Sequence, residues 1–392
     1  MEYQFSNRVS QLKPSAIREI FKYSADPAYI PLSAGNPAPE AFPSDAISKI
    51  SADLLKDAPV SALQYSVTEG CPALRDYLSE YLQKKHHTGS SNDAILITSG
   101  AQQVMDLFTK AVVNPGDVIL CEDPSFIGSL NTFRSFQARL VGVPMEDDGI
   151  DMSRLKETLS REKNIKYFYT IPNFQNPSGI TMSLEKRKAL YQLCSEHSIM
   201  ILEDNPYGDL RFRGEDIPTI KSMDSDGIVM YCGSFSKVIA PGIRVGYAVG
   251  PAPVIQKMVV CKQGEDVHTN IWAQMICHRF MTEYDYEAHL ESLRSLYSKK
   301  AALLEGLMKE HFTPKGITWR PFDGGLFAWC SLPKAADMPD YVQKALEQKV
   351  CVVPGTAFLT DEAVASDSFR INFSTPTDQQ LITGIERLAS IL

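Results

Sequence analysis

The stretch that decides the fold is SFSKVIAPGIRVGY at residues 234–247, which follows a short apolar run at 228–231. It places two serines and Lys237 directly after a predicted strand, with Arg244 seven residues beyond the lysine. Arginine pairs with phosphate through two parallel hydrogen bonds, and a desolvated lysine can lose its proton and become a nucleophile. The stretch therefore predicts a strand-end loop that holds a phosphate beside a reactive amine.

Upstream and downstream of this loop, short apolar runs alternate with amphipathic stretches of helix length. Turn residues such as Asn-Pro-Gly-Asp at 114–117 and Asp-Asp-Gly at 147–149 punctuate the pattern. This alternation predicts an α/β fold. The predicted strands are at 94–98, 118–121, 140–143, 167–170, 200–202, 228–231 and 245–249.

The pattern changes after residue 285. A charged, leucine-rich stretch at 286–309 predicts a long helix, and strand-like runs follow around 319, 326–330, 350–353 and 369–373. The chain has 392 residues, more than the roughly 250–300 at which one hydrophobic core stops growing. We therefore predict a large domain at 40–285 and a smaller α+β domain formed by 1–39 and 286–392.

Composition and charge disfavour several classes of function. The net charge of -8 offers no basic patch for nucleic acid. The eight cysteines form no CxxC pair, so no metal site is expected, and most are predicted to be buried thiols in a reducing compartment. No run of about 18 apolar residues occurs, and the polar N-terminal residues do not resemble a signal peptide. These features predict a cytoplasmic enzyme that does not bind membranes.

Three further motifs and one aromatic position precede the lysine loop in a fixed order. They are SGAQQ at 99–103, Phe126 after Asp-Pro, PNFQNPSG at 172–179 and EDNPY at 203–207. Together with SFSKVIAPGIRVGY, they resemble the class I/II aminotransferases among the fold type I enzymes that depend on pyridoxal 5'-phosphate (PLP). The resemblance covers residues 14–388 and implies a large domain with a mainly parallel seven-stranded sheet.

The resemblance also implies which residues hold the cofactor. Lys237 would bind PLP as a Schiff base and move the substrate's α-proton. Phe126 would stack on the pyridine ring, Asp204 would face the ring nitrogen, and Asn176 and Tyr207 would bind the phenolic oxygen. The residues expected around the phosphate are Gly100, Ala101, Gln102, Ser234, Ser236 and Arg244.

Substrate-binding residues follow from the same likeness. Arg370, in FRINF at 369–373, would bind the substrate α-carboxylate together with Asn176, and Gly35, in LSAGNP at 32–37, would let the backbone approach that carboxylate. PSAIREI at 14–20 is similar to the kynurenine/2-aminoadipate (LysN-like) and aromatic aminotransferase branch, where Arg18 would contact an acidic side chain.

Tyr65, in QYSVTEG at 64–70, matches a tyrosine that reaches the phosphate in the neighbouring subunit's site, which implies a homodimer. The implied reaction is a ping-pong transfer of an amino group from an L-amino acid to a 2-oxo acid such as 2-oxoglutarate. Two alternatives stay open: another fold type I enzyme such as a C–S lyase, and a non-catalytic PLP-sensing domain. A nicotinamide dehydrogenase is disfavoured because the chain lacks a GxGxxG motif after an early strand.

Overall fold

The computed structural model describes residues 3–10, residue 23 and residues 26–392. The segment 14–20, and with it the predicted contact residue Arg18, lies outside the described residues.

An eight-stranded sheet spans residues 93–251. Its strands are β1 (Asp93–Thr98), β2 (Val118–Asp123), β3 (Arg139–Glu146), β4 (Gly149–Ile150), β5 (Ile165–Thr170), β6 (Met200–Asp204), β7 (Val229–Ser234) and β8 (Gly246–Pro251). The order across the sheet is β1-β8-β7-β6-β5-β2-β3-β4. The five strands from β7 to β3 run parallel, whereas β8 lies antiparallel between β7 and β1. The α/β class and the mainly parallel sheet are therefore confirmed.

The prediction of seven strands is wrong by one. β4 has only two residues and pairs antiparallel with Met145 and Glu146 of β3. The turn at 147–149 reverses the chain, and Gly149 takes a φ of 129° that favours glycine. A two-residue strand is too short to show the alternating pattern by which strands are recognised.

Helices connect the strands and flank the sheet. Their starts follow local capping: Asp151 accepts hydrogen bonds from the backbone N–H groups of Ser153 and Arg154, and Thr377 forms a capping box with Gln380. The described helices are α1 (Asn7–Ser10), α2 (Ser44–Asp57), α3 (Pro59–Leu63), α4 (Pro72–His86), α5 (Ala101–Val112), α6 (Ile127–Ser135), α7 (Met152–Arg161), α8 (Leu184–Glu196), α9 (Ala252–Gln263), α10 (Ile271–Glu283), α11 (Tyr286–Leu307), α12 (Met338–Glu347) and α13 (Asp378–Ser390).

A second, antiparallel sheet has the order β11-β12-β10-β9. Its strands are β9 (Thr318–Trp319), β10 (Phe327–Ser331), β11 (Val353–Pro354) and β12 (Ser368–Asn372). The run predicted at 350–353 joins this sheet only at Val353. The backbone just before Val353 pairs with Ile30 instead: the Ile30 N–H donates to Lys349 O, and the Ile30 carbonyl accepts from Cys351 N.

The eight-stranded sheet lies within 40–285 and the four-stranded sheet lies within 286–392. The division into two domains at these boundaries stays a prediction. The parallel strands β5, β6 and β7 end at Thr170, Asp204 and Ser234 on one edge of the large sheet. Ligands of open α/β sheets bind outside the carboxyl ends of such strands, so this edge is where a site is expected.

Candidate active site

A cavity of about 420 Å³ lies at this edge. Most of the predicted site residues line it, although they come from distant parts of the sequence. They are Gly35, Ala101, Gln102, Phe126, Asn176, Asp204, Tyr207, Ser234, Ser236, Lys237, Arg244 and Arg370. Residues that the sequence did not single out also line the cavity, among them Ile127, Gly128, Asn131, Ile171 and Phe327.

Lys237 projects its amine toward the N-terminal segment, where Nζ donates to the carbonyl of Gly35 at 2.7 Å. Desolvation, reinforced by the nearby charges of Arg370 and Arg244, lowers the pKa of Lys237 to about 8. A sizeable fraction of this amine is therefore neutral near physiological pH. A neutral amine can attack a carbonyl carbon or accept a proton.

The start of α5 and Arg244 form an anion-binding corner. Gly100 precedes the helix with a φ of 80°, and a Cβ there would lie 2.2 Å from Nη2 of Arg244. Only glycine therefore lets the guanidinium approach the helix N-terminus. Arg244 also donates to Ser99 O at 3.2 Å and to Ser236 Oγ at 3.4 Å. A helix N-terminus, a guanidinium and a serine hydroxyl together suit a phosphate group.

Asp204 ends β6 and is buried at the cavity floor. Its Oδ2 accepts a hydrogen bond from the Tyr169 hydroxyl at 2.8 Å, while its Oδ1 has no hydrogen-bond partner within the described ranges. Burial raises the pKa of Asp204 to about 7. The arrangement leaves one carboxylate oxygen ready for a donor or a cation that enters the cavity.

Asn176 joins two other predicted residues. Its Oδ1 accepts from Arg370 Nη1 at 2.7 Å, and its Nδ2 lies 3.5 Å from the Tyr207 hydroxyl. The Tyr207 ring packs edge-on against Phe327, with 5.8 Å between ring centroids. Asn176 and Tyr207 therefore present polar groups side by side.

Arg370 is 3% exposed and has no acidic partner among its hydrogen-bond acceptors in the described chain, which are Asn176 Oδ1 and the carbonyls of Ser33 and Ala34. Its Nε, also buried, has no partner among the described residues. Burial lowers the pKa of Arg370 to about 10. A buried cation without an anion is costly, so the site is arranged for a ligand with a carboxylate.

Two of the predicted residues, Gly100 and Tyr65, do not line the cavity, and Gly35 lines it without being crowded. A Cβ on Gly35 would meet only Phe327, at 3.8 Å, so the described protein leaves room for a side chain and crowding by the protein does not explain this glycine. Gly100 lies behind the cavity wall, beside Arg244. Tyr65 lies outside the cavity, is 82% exposed and contacts His268 edge-on.

The sequence does not reveal a buried hydrogen-bond network around Glu122 that holds the loop of Asn176. Glu122, at 0% exposure, accepts from Ile171 N at 3.1 Å and from Gln175 Nε2 at 3.1 Å, as well as from the Thr170 hydroxyl. Gln175 Oε1 accepts from the N–H and the hydroxyl of Ser178. These contacts fix the loop on both sides of Asn176. Nothing in the sequence around Glu122 indicates its contact with Gln175, because that contact joins β2 to a loop about 50 residues away along the chain.

Tyr169 is the second group that the sequence did not identify. Its hydroxyl accepts from Ser129 Oγ at 2.9 Å and donates to Asp204, so one buried chain joins α6, β5 and β6. The short apolar run of β5 indicates that Tyr169 is buried, but not that it meets Asp204.

Among the residues that the structure describes, no group of three or more histidine, cysteine or acidic side chains could hold a metal ion. None of the described helices is long and apolar enough to span a membrane.

The cavity fits PLP on observations of the structure itself. The unpartnered Asp204 Oδ1 matches a protonated ring nitrogen, the corner at Gly100 and Arg244 matches a phosphate, and the partly neutral Lys237 amine matches a reactive carbonyl. The unpartnered Arg370 Nε remains for the carboxylate of a substrate.

Comparisons with known proteins agree with this fit. The family model for class I and II aminotransferases matches residues 27–388. Aromatic-amino-acid aminotransferase 1 of Thermococcus litoralis is 36% identical over 100% of this chain and 94% of its own length. The 2-aminoadipate transaminase of Thermus thermophilus is 34% identical over 99% of this chain and 96% of its own length.

Solved structures show the same likeness. The kynurenine aminotransferase of Pyrococcus horikoshii superimposes with a TM-score of 0.95 at 34% identity, covering 99% of this chain and 96% of its own. The α-aminoadipate aminotransferase LysN of Thermus thermophilus superimposes with a TM-score of 0.90 at 33% identity, covering 99% of this chain and 97% of its own. The chain therefore belongs to the class I and II aminotransferases, fold type I enzymes that work with pyridoxal 5'-phosphate.

Proposed function

We propose that this aminotransferase accepts aromatic L-amino acids and 2-aminoadipate as donors and passes the amino group to a 2-oxo acid such as 2-oxoglutarate in a ping-pong reaction. The observation that carries the proposal is the buried Arg370, whose Nε has no partner among the described residues. The names of the relatives above support the choice of donors.

When bound, PLP supplies a reactive carbonyl and an electron-withdrawing ring. We assign to Lys237 the covalent anchoring of the cofactor and the transfer of the proton from the substrate's α-carbon. A base of pKa near 8 suits this task, because it can both accept and return a proton near neutral pH.

Ring-binding roles follow from the contacts around the cavity. We assign Asp204 to the ring nitrogen, where an ionised carboxylate keeps a bound proton in place. Asn176 and Tyr207 would hold the phenolic oxygen, and Phe126 would cover one face of the ring. The groups that we assign to the phosphate are Gly100, Ala101, Gln102, Ser234, Ser236 and Arg244.

Substrate orientation would depend on Arg370. Its Nη1 is held by Asn176 and its guanidinium lies over the rings of Phe327 and Phe358, at 4.2 and 5.1 Å. Such packing fixes the guanidinium before a carboxylate arrives and thus aligns the α-carbon. Gly35 would leave space for that carboxylate. A role for Arg18 in reading an acidic side chain stays a prediction.

The direct test is a panel of amino acid donors with 2-oxoglutarate as acceptor. We expect L-glutamate to appear with aromatic donors and with 2-aminoadipate, and the visible absorbance of the bound cofactor to be lost when a donor is added without an acceptor. Activity confined to alanine would contradict the broad donor range. Pyruvate and ammonia from a cysteine conjugate, without an acceptor, would identify a C–S lyase instead.

Arg370→Lys is expected to lower kcat/KM for every amino acid donor by roughly 10- to 150-fold, the cost of one charge-assisted hydrogen bond. Lysine keeps the charge but cannot offer two parallel hydrogen bonds to a carboxylate. Steady-state kinetics measure the effect, with the exposed Arg154→Lys on α7 as the matched control. An unchanged kcat/KM in Arg370→Lys would remove Arg370 from the carboxylate site.

We also propose that two copies of the chain form a homodimer and that Tyr65 of each copy reaches the other's site. Val60, Leu63, Tyr65 and Val67 expose 73, 72, 82 and 48% of their surface, an apolar group that a partner would cover. Sedimentation equilibrium should give twice the chain mass of 43.6 kDa. A monomer that transfers amino groups at full rate would contradict the shared site.

The predicted cytoplasmic location stays a proposal. It is supported by the thiols of Cys121, Cys194 and Cys232, which are buried and free. Buried free thiols of this kind are common in proteins of reducing compartments.

A further inference from the structure

One wall of the cavity is formed by the start of α6. Phe126, Ile127, Gly128 and Asn131 line it. A Cβ on Gly128 would lie 2.6 Å from the Phe126 ring, so the glycine lets the ring lie against the helix. Asn131 is the next position on the same helical face, three residues after Gly128 and four after Ile127. The wall is thus apolar except for the side-chain amide of Asn131.

The oxygen of the Asn131 amide already accepts a hydrogen bond. Asn131 Oδ1 accepts from Arg134 Nη1 at 3.0 Å. Arg134 is held in turn by Glu362 Oε1 at 2.9 Å and by the carbonyls of Leu359 and Thr360, at 3.2 and 2.9 Å. Asn131 Nδ2 has no acceptor among the residues described. An amide nitrogen carries two donor hydrogens, so Nδ2 can offer both to a ligand.

The cationic side chains of the cavity already have assigned roles. Of the lysines and arginines in the described part of its lining, Lys237 and Arg244 are assigned to the cofactor and Arg370 to the α-carboxylate. Gln102 Nε2, next to this wall, donates to Gly128 O and to Thr132 Oγ1. Among the described lining residues, no lysine or arginine therefore remains for a second carboxylate. The side-chain amides whose N–H groups have no acceptor there include that of Asn131, on the α6 wall, and that of Asn36, next to Gly35.

We propose that Asn131 is a specificity-determining residue whose Nδ2 donates to the distal carboxylate of a dicarboxylic substrate, such as 2-oxoglutarate. The inference rests on the proposed function and adds Asn131 to the residues that contact the substrate side chain, beside the predicted contact of Arg18. The Arg370 guanidinium lies over the Phe358 ring, and Phe358 belongs to the same hydrophobic cluster as Ile127, against which Phe126 packs. A substrate held by Arg370 would thus extend its side chain along this wall.

A neutral donor also accommodates a second kind of substrate. An arginine at this position would be left as a desolvated charge whenever an aromatic side chain entered the pocket. The Asn131 amide loses far less, because leaving a neutral donor unpaired costs less than leaving a buried charge unpaired. The same pocket can therefore bind a dicarboxylate in one half of a ping-pong cycle and an aromatic amino acid in the other.

Asn131→Asp tests the proposal sharply. Aspartate keeps an oxygen for Arg134 and nearly the same volume, but it replaces the donor by a carboxylate oxygen. We expect kcat/KM for 2-oxoglutarate to fall by at least roughly 10- to 150-fold, mainly through KM, the effect of losing a hydrogen bond to a charged group. With phenylpyruvate as acceptor, kcat/KM should fall less, because the introduced carboxylate is paired with Arg134 and meets no second negative charge.

Asn131→Leu should also lower kcat/KM for 2-oxoglutarate more than for phenylpyruvate. The exposed Asn92→Asp is the control and should leave kcat/KM for both acceptors unchanged. Equal losses with both acceptors, or no loss with either, would overturn the proposal. Thermal unfolding of each variant separates a folding defect from a change in selectivity, because a folding defect lowers both rates together. Failure of the unaltered protein to transfer any amino group would overturn the proposed function itself.

Discussion

Replacing Lys237 with alanine should lower kcat by at least about 10³-fold, since a positioned acid–base group alone contributes 10²–10⁴. The alanine variant also loses the covalent anchor. No lysine other than Lys237 is found among the described residues that line the cavity, so we expect no substitute amine. Lys237→Arg should be equally inactive, because a guanidinium keeps the charge but does not release its proton.

The measurement should separate anchoring from turnover. Borohydride reduction followed by peptide mass mapping should find the cofactor attached to the peptide that contains Lys237, and should find no such peptide in Lys237→Ala. The exposed Lys257→Ala on α9 serves as the matched control. Turnover in Lys237→Ala within tenfold of the unaltered protein would disprove the assignment, whatever the mapping shows.

How far the sequence predicts the site depends on whether a contact is local. The loops at 172–179 and 234–247 resemble those of the class I/II aminotransferases, so Asn176, Lys237 and Arg244 can be selected from the sequence through that resemblance. Their convergence on one cavity follows from parallel strands ending at one edge. The contacts behind them are not predictable in this way, because they depend on which strands are neighbours.

Glu122 and Tyr169 illustrate the limit. Tyr169 lies in the predicted strand 167–170, whereas Glu122 follows the predicted strand 118–121 by one residue; both side chains are fully buried. β2 neighbours β5 and β5 neighbours β6, so the side chains meet partners that are 35 to 53 residues away along the chain. Neither alternation nor composition states this order. Asn131 differs, since its contact with Arg134 is only three residues away along the chain; what the sequence does not state is that α6 lies at the cavity.

Asp204→Asn is expected to lower kcat by about 10²- to 10³-fold, the usual cost of removing one preorganised electrostatic group. Asparagine has nearly the same shape and can still accept from the Tyr169 hydroxyl. It cannot carry the negative charge that keeps a proton on the ring nitrogen. Tyr169→Phe retains the carboxylate and loses only the hydrogen bond to Oδ2, so its kcat should fall by only about tenfold.

Glu203, the residue before Asp204 on β6, provides the control for Asp204→Asn. Successive side chains of β6 point to opposite faces of the sheet, and Glu203 accepts from the backbone N–H groups of Ile220 and Lys221 at 2.9 and 2.8 Å. Glu203→Gln should therefore lower the melting temperature while keeping kcat. The absorbance of the bound cofactor should be titrated against pH in each variant. The midpoint pH should change in Asp204→Asn and stay unchanged in Glu203→Gln. Equal effects of the two substitutions on kcat would show that burial of a carboxylate, rather than its position at the ring, explains the loss.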